Sequence, residues 1–305
     1  VQPGNTVLDL GAGGGKICYM AAQLVGDSGH VIGIDMNDDM LGLARRHQPG
    51  MAERLGGDRV RFVKGRIQDL GLDVEALDNY LRTHPVTSHA EYAALRAWEQ
   101  TQRQTRPLIA DASIDLVISN CVLNLVADQE KQQLVEEIYR VLKPGGRVAI
   151  SDIVSDRPIP TALKNNPELW SGCISGAFQE AAFLQEFTAA GFHAARYDKW
   201  DAQPWQVVEG IEFRSVTLTA FKPLPAAGHA ATHGVLYRGP FAVVTDDAGN
   251  HYARGQRAAV NSQLHKILTN TAYADAFIDL EADTGTPGGG CCNGPADQDS
   301  GACCS

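Results

Sequence analysis

The stretch "NTVLDLGAGGG" at residues 5–15 decides the fold class of this chain. Its apolar first half predicts a buried strand, and the glycines after it predict a tight turn before a helix over 16–25. Glycine in such a turn lets the backbone approach a ligand closely, and the helix that follows offers free N–H groups. The stretch therefore predicts the first strand, loop and helix of a ligand-binding α/β domain.

Strands and helices alternate along the chain after this stretch. Further strands are predicted at 30–35, 60–65, 114–120 and 146–154, and further helices at 39–48 and 133–142. This alternation predicts a doubly wound, mostly parallel sheet with helices on both faces, which is a Rossmann-like α/β fold.

The remaining segments define the predicted domain boundaries. Residues 71–110 interrupt the alternation with two amphipathic helices, which we interpret as either a solvent-covering hairpin or a lid. This insertion belongs to a predicted domain over 1–222. A small β-rich accessory domain is expected over 223–280, with a hairpin turn at "DDAGN", and a disordered, cysteine-rich tail over 281–305.

Composition and charge narrow the classes of function. The formal charge of −10 over 305 residues argues against a nucleic-acid or anionic-membrane partner, since phosphate binding needs clustered Lys and Arg. No run of about eighteen apolar residues occurs, so no transmembrane helix is predicted. The sequence begins at Val1 without an initiator Met, and we expect a fragment with no visible signal peptide. Small-molecule chemistry fits this composition best.

The cysteines indicate a reducing compartment. Seven are present, of which three lie singly inside periodic segments and four lie in the tail. A disulfide framework belongs to short secreted chains. We therefore expect a cytoplasmic protein.

A second feature supports cofactor binding by the glycine turn. Gly11 and Gly13 are not followed by the third packing glycine of the dinucleotide pattern G-x-G-x-x-G. Asp35 ends the second strand about twenty residues later, where a carboxylate can accept both ribose hydroxyls. The alternative is a structural turn with a surface aspartate.

Together with "VLKPGGRVAISD" (141–152), this pattern resembles class I S-adenosylmethionine-dependent methyltransferases over residues 1–222. The resemblance implies that S-adenosylmethionine is the cofactor. Its implied contacts are Gly11 and Gly13 at the methionine end, Asp35 at the ribose, Met36 on the adenine, Ile67 and Gln68 at the adenine edge, and Asp9 and Asn120 beside them.

Two cysteines are predicted to lie at the same edge of the sheet. Cys121 follows the fourth strand, where ligands bind in doubly wound sheets. A lone thiol there is as readily core filler. Cys173, however, lies in "NPELWSGCISGAF" (166–178), a segment after the fifth strand that is expected to cover the site. Two converging thiols suit a soft, thiophilic substrate centre.

Three segments then resemble arsenite S-adenosylmethionine methyltransferases: "DASIDLVISNCVLNLV" (111–126), "VLKPGGRVAISDIVSDRPIP" (141–160) and "ELWSGCISGAF" (168–178). The resemblance implies that Cys121 and Cys173 hold As(III) as thiolates while its lone pair attacks the sulfonium methyl. Arsenite and methylated arsenicals are the implied substrates, with a small thiol or thioredoxin-type reductant. A third ligand is expected from a cysteine preceding Val1 or from a small thiol.

Several alternatives stay open. Cys18 either packs against the sheet or binds arsenic, and the tail cysteines either capture a thiophilic ion weakly or are merely reactive. The enzyme alternative is a methyltransferase with a carbon, oxygen or nitrogen acceptor. The non-enzyme alternative is a metalloid-sequestering protein that uses the tail.

Overall fold

The structure is a computed structural model that describes residues 1–225, 233–270 and 272–280. Within these residues the main feature is a nine-stranded sheet. Its strands in chain order are β1 (Thr6–Leu10), β2 (His30–Asp35), β3 (Val60–Lys64), β4 (Ile114–Asn120), β5 (Leu142–Ser155), β6 (Phe178–Gln179), β7 (His193–Trp200), β8 (Gln206–Val208) and β9 (Ile211–Phe221).

The strand order is β3-β2-β1-β4-β5-β9-β7, with β6 paired to β5 and β8 to β9. Strands β1 to β5 pair in parallel, whereas β9 is antiparallel to both β5 and β7. The predicted doubly wound, mostly parallel sheet is confirmed. The strand order reverses direction between β1 and β4, and such a switch point opens a crevice at the carboxyl ends of the strands.

Helices cover the sheet in the described part of the chain. They are α1 (Lys16–Val25), α2 (Asp38–Leu55), α3 (Val74–Thr83), α4 (His89–Thr105), α5 (Lys131–Val141), α6 (Thr161–Lys164), α7 (Pro167–Ser171) and α8 (Glu180–Ala189). Helix α2 is longer than predicted and runs through Pro49, because Asn37 caps its first turn and Gly56 ends it in the left-handed conformation.

Side-chain alternation in β1 shows why both faces are covered. Val7 packs in a cluster with residues of α1 and α2. Leu8 and Leu10 pack in a second cluster with residues of α5 and α8. Successive strand residues point to opposite faces, so an apolar run such as "TVLDL" requires a helical layer on each side.

The "KPGG" sequence lies inside β5, which therefore begins before the strand predicted over 146–154. Leu142 pairs with Ile114 and Arg147 pairs with Leu116, so the residues between bulge out of register. Gly145 permits this because its φ is +83°.

The insertion consists of the two predicted helices. Tyr80 of α3 stacks on Trp98 of α4 with ring centroids 4.4 Å apart. Arg103 of α4 pairs with Asp69 at 2.8 Å. In these two helices only Glu99 is buried. Whether the pair acts as a surface hairpin or as a lid stays a prediction.

The chain divides into two compact units, Val1–Gly228 with Thr245–Asn250, and His229–Val244 with His251–Ser305. Elements of the C-terminal part are β10 (His233–Tyr237), β11 (Val243–Thr245), β12 (His251–Ala253), β13 (Arg257–Val260), α9 (Ser262–Asn270) and β14 (Phe277–Asp279). Strand β10 lies between β13 and β14. The predicted turn at 246–250 joins β11 and β12, and Asp246 Oδ1 accepts hydrogen bonds from the backbone N–H groups of Ala248 and Asn250. The predicted tail, 281–305, lies outside the described residues, and the predicted domain boundaries stay predictions.

Candidate active site

The glycine turn leaves β1 at the switch point with a left-handed backbone. The φ angles of Gly11 and Gly13 are +73° and +51°. A Cβ on Gly11 would lie 2.5 Å from the Val122 side chain, whereas a Cβ on Gly13 would meet nothing within 4 Å. The turn is therefore packed against the loop after β4 on one side and open at Gly13 on the other.

Asp35 ends β2 beside this opening. Its Oδ2 accepts a hydrogen bond from Gly13 N at 2.8 Å, and its Oδ1 accepts one from Asn37 N at 2.9 Å. The next residue, Met36, is 68% exposed. These three residues fit a nucleoside cofactor: the half-buried carboxylate fits its ribose, the open glycine fits the amino-acid chain attached to the ribose, and the exposed apolar side chain fits its adenine.

Asp9 lies deeper, near the end of the neighbouring strand β1. It is 3% exposed, and its Oδ2 accepts a hydrogen bond from the Cys18 thiol at 3.1 Å. Burial raises the pKa of Asp9 to about 6, and burial and the Asp9 charge raise the pKa of the Cys18 thiol. Cys18 is therefore a packed, protonated core residue, and the packing interpretation of Cys18 is confirmed.

The remaining predicted cofactor residues lie in different environments. Ile67 is buried in the core. Gln68 Nε2 donates to Glu130 at 3.0 Å, which leaves the amide oxygen of Gln68 as the acceptor available to a ligand. Asn120 is exposed at the last position of β4. Contact of any of these residues with a cofactor stays a prediction.

Cys121 begins the loop after β4. Its N–H donates to Ser151 O of β5 at 2.8 Å, and its side chain is exposed. Its φ of +56° is uncommon for a residue with a Cβ. The neighbouring strand therefore holds the backbone of Cys121 in a conformation that it would otherwise seldom adopt.

Cys173 follows the short helix α7, which Asn166 caps and Pro167 begins. The N–H of Cys173 donates to Trp170 O, and the N–H of Ile174 donates to Leu169 O. These are the two bonds of a Schellman helix end, in which the left-handed position usually belongs to glycine. Here Cys173 occupies that position with φ +60°, although Gly172 is adjacent.

The structure brings the two predicted cysteines together. Cys173 Sγ donates to the carbonyl oxygen of Cys121 at 3.4 Å. The second thiol is half-buried in a small apolar cluster with Ile174 and Leu169. The helix end therefore places the Cys173 thiol against the backbone of the loop that carries Cys121.

Two buried polar residues beneath the thiols were not singled out from the sequence. Asp152 of β5 is 1% exposed and accepts hydrogen bonds from Leu123 N at 3.0 Å and Asn124 Nδ2 at 2.8 Å. Asn124 Nδ2 also lies 3.2 Å from Cys173 O. The sequence carries a signal for Asp152 alone, because a carboxylate ends the apolar run "RVAISD" next to the strand that precedes Cys121.

Burial and the Asp152 charge together keep the thiols protonated. Burial raises the pKa of Asp152 to about 6, so this group is ionised at neutral pH. Partial desolvation, and secondly the Asp152 carboxylate, raise the pKa of Cys121 and bring that of Cys173 to about 11. Both residues are thus thiols rather than thiolates before a ligand arrives.

Among the residues that the structure describes, no group of three or more His, Cys, Asp or Glu side chains is arranged to hold a metal ion. None of the described helices is long and apolar enough to span a membrane.

Known proteins resemble the chain over most of its length. The family described as "Methyltransferase domain" matches residues 2–107 and 99–191, and a domain of unknown function, DUF8838, matches residues 227–292. An arsenite methyltransferase of Mus musculus is 31% identical over 295 residues, which cover 92% of this chain and 68% of the relative. One of Aquipseudomonas alcaligenes is 33% identical over 288 residues, covering 90% and 72%.

A solved structure agrees with these relatives. The crystal structure of an arsenic (III) S-adenosylmethionine methyltransferase from Chlamydomonas reinhardtii superposes with a TM-score of 0.59 and is 28% identical, covering 90% of this chain and 85% of that one. The chain belongs to the arsenite methyltransferase family of class I S-adenosylmethionine-dependent methyltransferases.

Proposed function

We propose that this chain transfers the methyl group of S-adenosylmethionine to trivalent arsenic held by Cys121 and Cys173. The observation that carries the proposal is the contact between Cys173 Sγ and Cys121 O across the open edge of the sheet. Thiol sulfurs are soft ligands and select soft, thiophilic centres. Two of them side by side form a chelate for such a centre.

The cofactor site lies on the neighbouring strand ends. A Cβ on Gly11 would lie 2.5 Å from the side chain of Val122, the residue after Cys121, so the glycine turn packs closely against the thiol loop. Gly13 and Asp35 would hold the cofactor, with Met36 against its adenine. S-adenosylmethionine supplies an electrophilic methyl group to the arsenic lone pair. The protein's contribution is to place the arsenic in line with that methyl, since no proton has to leave the attacking atom.

The protonated state of the thiols fits the capture of arsenite. Arsenite at neutral pH is uncharged arsenous acid, As(OH)3. Each thiol replaces one hydroxyl, forming an As–S bond and releasing water that carries the thiol proton. The reaction therefore needs no free thiolate, and the raised pKa of Cys173 does not oppose it.

Turnover requires an electron source. Methylation of the arsenic lone pair takes arsenic formally from As(III) to As(V), and two electrons must return before a second methylation. A small thiol or a thioredoxin-type protein is the proposed reductant, and a small thiol also supplies the third arsenic ligand. A reducing cytoplasmic setting is proposed for the same reason.

The proposal is tested by incubating the chain with arsenite, S-adenosylmethionine and glutathione and resolving the products by mass. We expect methylated arsenicals and an equivalent amount of S-adenosylhomocysteine. S-adenosylhomocysteine formed with a quinone or small phenol but not with arsenite would favour the carbon or oxygen acceptor instead. Arsenite binding without any product would favour sequestration.

A further inference from the structure

We infer that Asn124, together with Asp152, is a positioning residue that sets the separation of the Cys121 and Cys173 thiols. The inference rests on the proposed two-thiol site and concerns what holds that site in shape. Neither residue is proposed to contact the arsenic. Both act through the backbone of the two cysteines.

Asp152 holds the loop that carries Cys121. Its Oδ2 accepts a hydrogen bond from Leu123 N at 3.0 Å, and its Oδ1 accepts one from Asn124 Nδ2 at 2.8 Å. The N–H of Cys121 donates to Ser151 O, the residue before Asp152, at 2.8 Å. Two consecutive residues of β5 therefore fix the loop immediately on either side of Val122.

Asn124 connects that loop to the segment that carries Cys173. Its Nδ2 lies 2.8 Å from Asp152 Oδ1, 2.7 Å from Ile153 O and 3.2 Å from Cys173 O. Two amide hydrogens serve these three acceptors, so one hydrogen is shared. The side chain is completely buried. One amide thus joins β5, the Cys121 loop and the Cys173 backbone.

The two segments also meet backbone to backbone. A Cβ on Gly176 would lie 2.0 Å from Asn124 O, so only glycine allows this approach. Lys131 Nζ, itself buried, donates to Gly176 O at 2.7 Å. These contacts place the covering segment directly on Asn124.

Both cysteines need such support because their backbones are strained. Cys121 and Cys173 have φ angles of +56° and +60°, which residues with a Cβ adopt only when the surroundings impose them. Chelation depends on that geometry, because the second As–S bond forms at an effective concentration set by the thiol separation. Without the Asn124 amide, each thiol would still react singly, but the separation of the two thiols would no longer be fixed.

The experiment uses phenylarsine oxide, which binds two thiols with release of one water and no change of oxidation state. The parent is the full chain in which Cys291, Cys292, Cys303 and Cys304 are serine, so that the tail does not compete. Two variants are compared with it, Asn124→Ala and the double exchange Asn124→Asp with Asp152→Asn. The exchange keeps side-chain volume, net charge and a hydrogen bond between the two positions, and it removes the donor to both Cys173 O and Ile153 O. The exchange therefore still tests the inference if Asn124→Ala fails to fold.

Ile138→Ala in the same parent is the control for general destabilisation, because Ile138 lies in the hydrophobic core.

Both Asn124 variants are expected to bind phenylarsine oxide at least about tenfold more weakly than the parent. Their S-adenosylmethionine affinity and the iodoacetamide reactivity of each single thiol in Asn124→Ala should stay unchanged, and Ile138→Ala should bind as the parent does. If both Asn124 variants bound phenylarsine oxide as the parent does, the inference would be overturned and the two-thiol site would stand. The same would follow if Ile138→Ala lost as much phenylarsine oxide affinity as the Asn124 variants. Unchanged binding after Cys121→Ser and Cys173→Ser in this parent would overturn the two-thiol site, and the inference with it.

Discussion

Cys173 Sγ lies 3.4 Å from the carbonyl oxygen of Cys121, although 52 residues separate them in the sequence. Parallel β4 and β5 bring the loops at their carboxyl ends to one edge of the sheet, and α7 then directs the second cysteine back over the first. The candidate substrate site therefore depends on two segments that are each held by the same pair of strands.

Replacing both thiols should abolish arsenite binding and leave the cofactor site intact. In the double variant Cys121→Ser, Cys173→Ser, hydroxyls of nearly the same size are hard, weak ligands, so arsenite affinity should fall at least about a hundredfold. Calorimetry with arsenite and separately with S-adenosylmethionine measures both effects. Cys18→Ser is the matched control, because its hydroxyl still donates to Asp9 in the core. A double variant that binds and methylates arsenite normally would contradict the assignment of Cys121 and Cys173 as the arsenic ligands.

Replacing Asp35 should weaken S-adenosylmethionine binding. Asp35→Ala removes two charge-assisted hydrogen bonds to the ribose, at a cost of about 2–4 kcal/mol of cofactor affinity. It also removes the acceptor that orders Gly13 N. Asp39→Ala removes the same charge from an exposed position in the first turn of α2 and should bind normally. Equal cofactor affinity in the two variants, measured by calorimetry, would contradict the prediction.

Alkylation of the two thiols should be slow at neutral pH and accelerate in alkali. Iodoacetamide attacks the thiolate, and a raised thiol pKa leaves little thiolate below that pKa. Because the pKa of Cys173 is about 11, its alkylation rate should rise about tenfold per pH unit from pH 7 to 10. Asp152→Asn removes a negative charge that raises the pKa of both thiols, so both should react faster at pH 8. Quenched time courses read by peptide mass would show this. Rapid Cys173 alkylation at pH 7 in the unmodified chain would refute it.

Adding a methyl group at two nearby glycines should affect stability and arsenite binding differently. Gly176→Ala places a Cβ 2.0 Å from Asn124 O, so the covering segment must move, at a cost of about 1–3 kcal/mol with weaker arsenite binding. Gly172→Ala meets only carbonyl oxygens at 3.6 and 3.7 Å and should be close to neutral. Denaturant unfolding and arsenite titration of both variants provide the comparison. Similar behaviour of the two would argue against the close approach at Gly176.

Deleting residues 281–305 should leave methyl transfer within about twofold of the intact chain, because the glycine turn, Asp35 and both substrate thiols precede the deletion. Product formation from arsenite, resolved by mass, measures this. A folded truncated chain without turnover would mean that the tail contributes to the site.

The sequence by itself determined the architecture of the large sheet. Apolar runs bounded by glycine and charge located β2 and β4 at the residues where the structure has them, because a strand buried on both faces needs an unbroken apolar run. The "DDAGN" turn was readable for a similar local reason, since Asp246 bonds the backbone two and four residues ahead. The start of β5 was not predicted correctly, because pairing of Leu142 with Ile114 and of Arg147 with Leu116 draws "KPGG" into the strand as a bulge.

The geometry of the thiol site was decided only by the tertiary structure. In "WSGC" the local preference for left-handed backbone belongs to Gly172, yet Cys173 takes that conformation because the end of α7 and the hydrogen bond from Asn124 place it there. The roles of Asn124 and Asp152 are not predictable from the sequence, because an Asn in a loop and an Asp within a strand are ordinary residues until the two, 28 residues apart, are seen in contact. Periodicity reports which face of an element is apolar. Hydrogen bonds between distant loops depend on packing, and no local pattern records them.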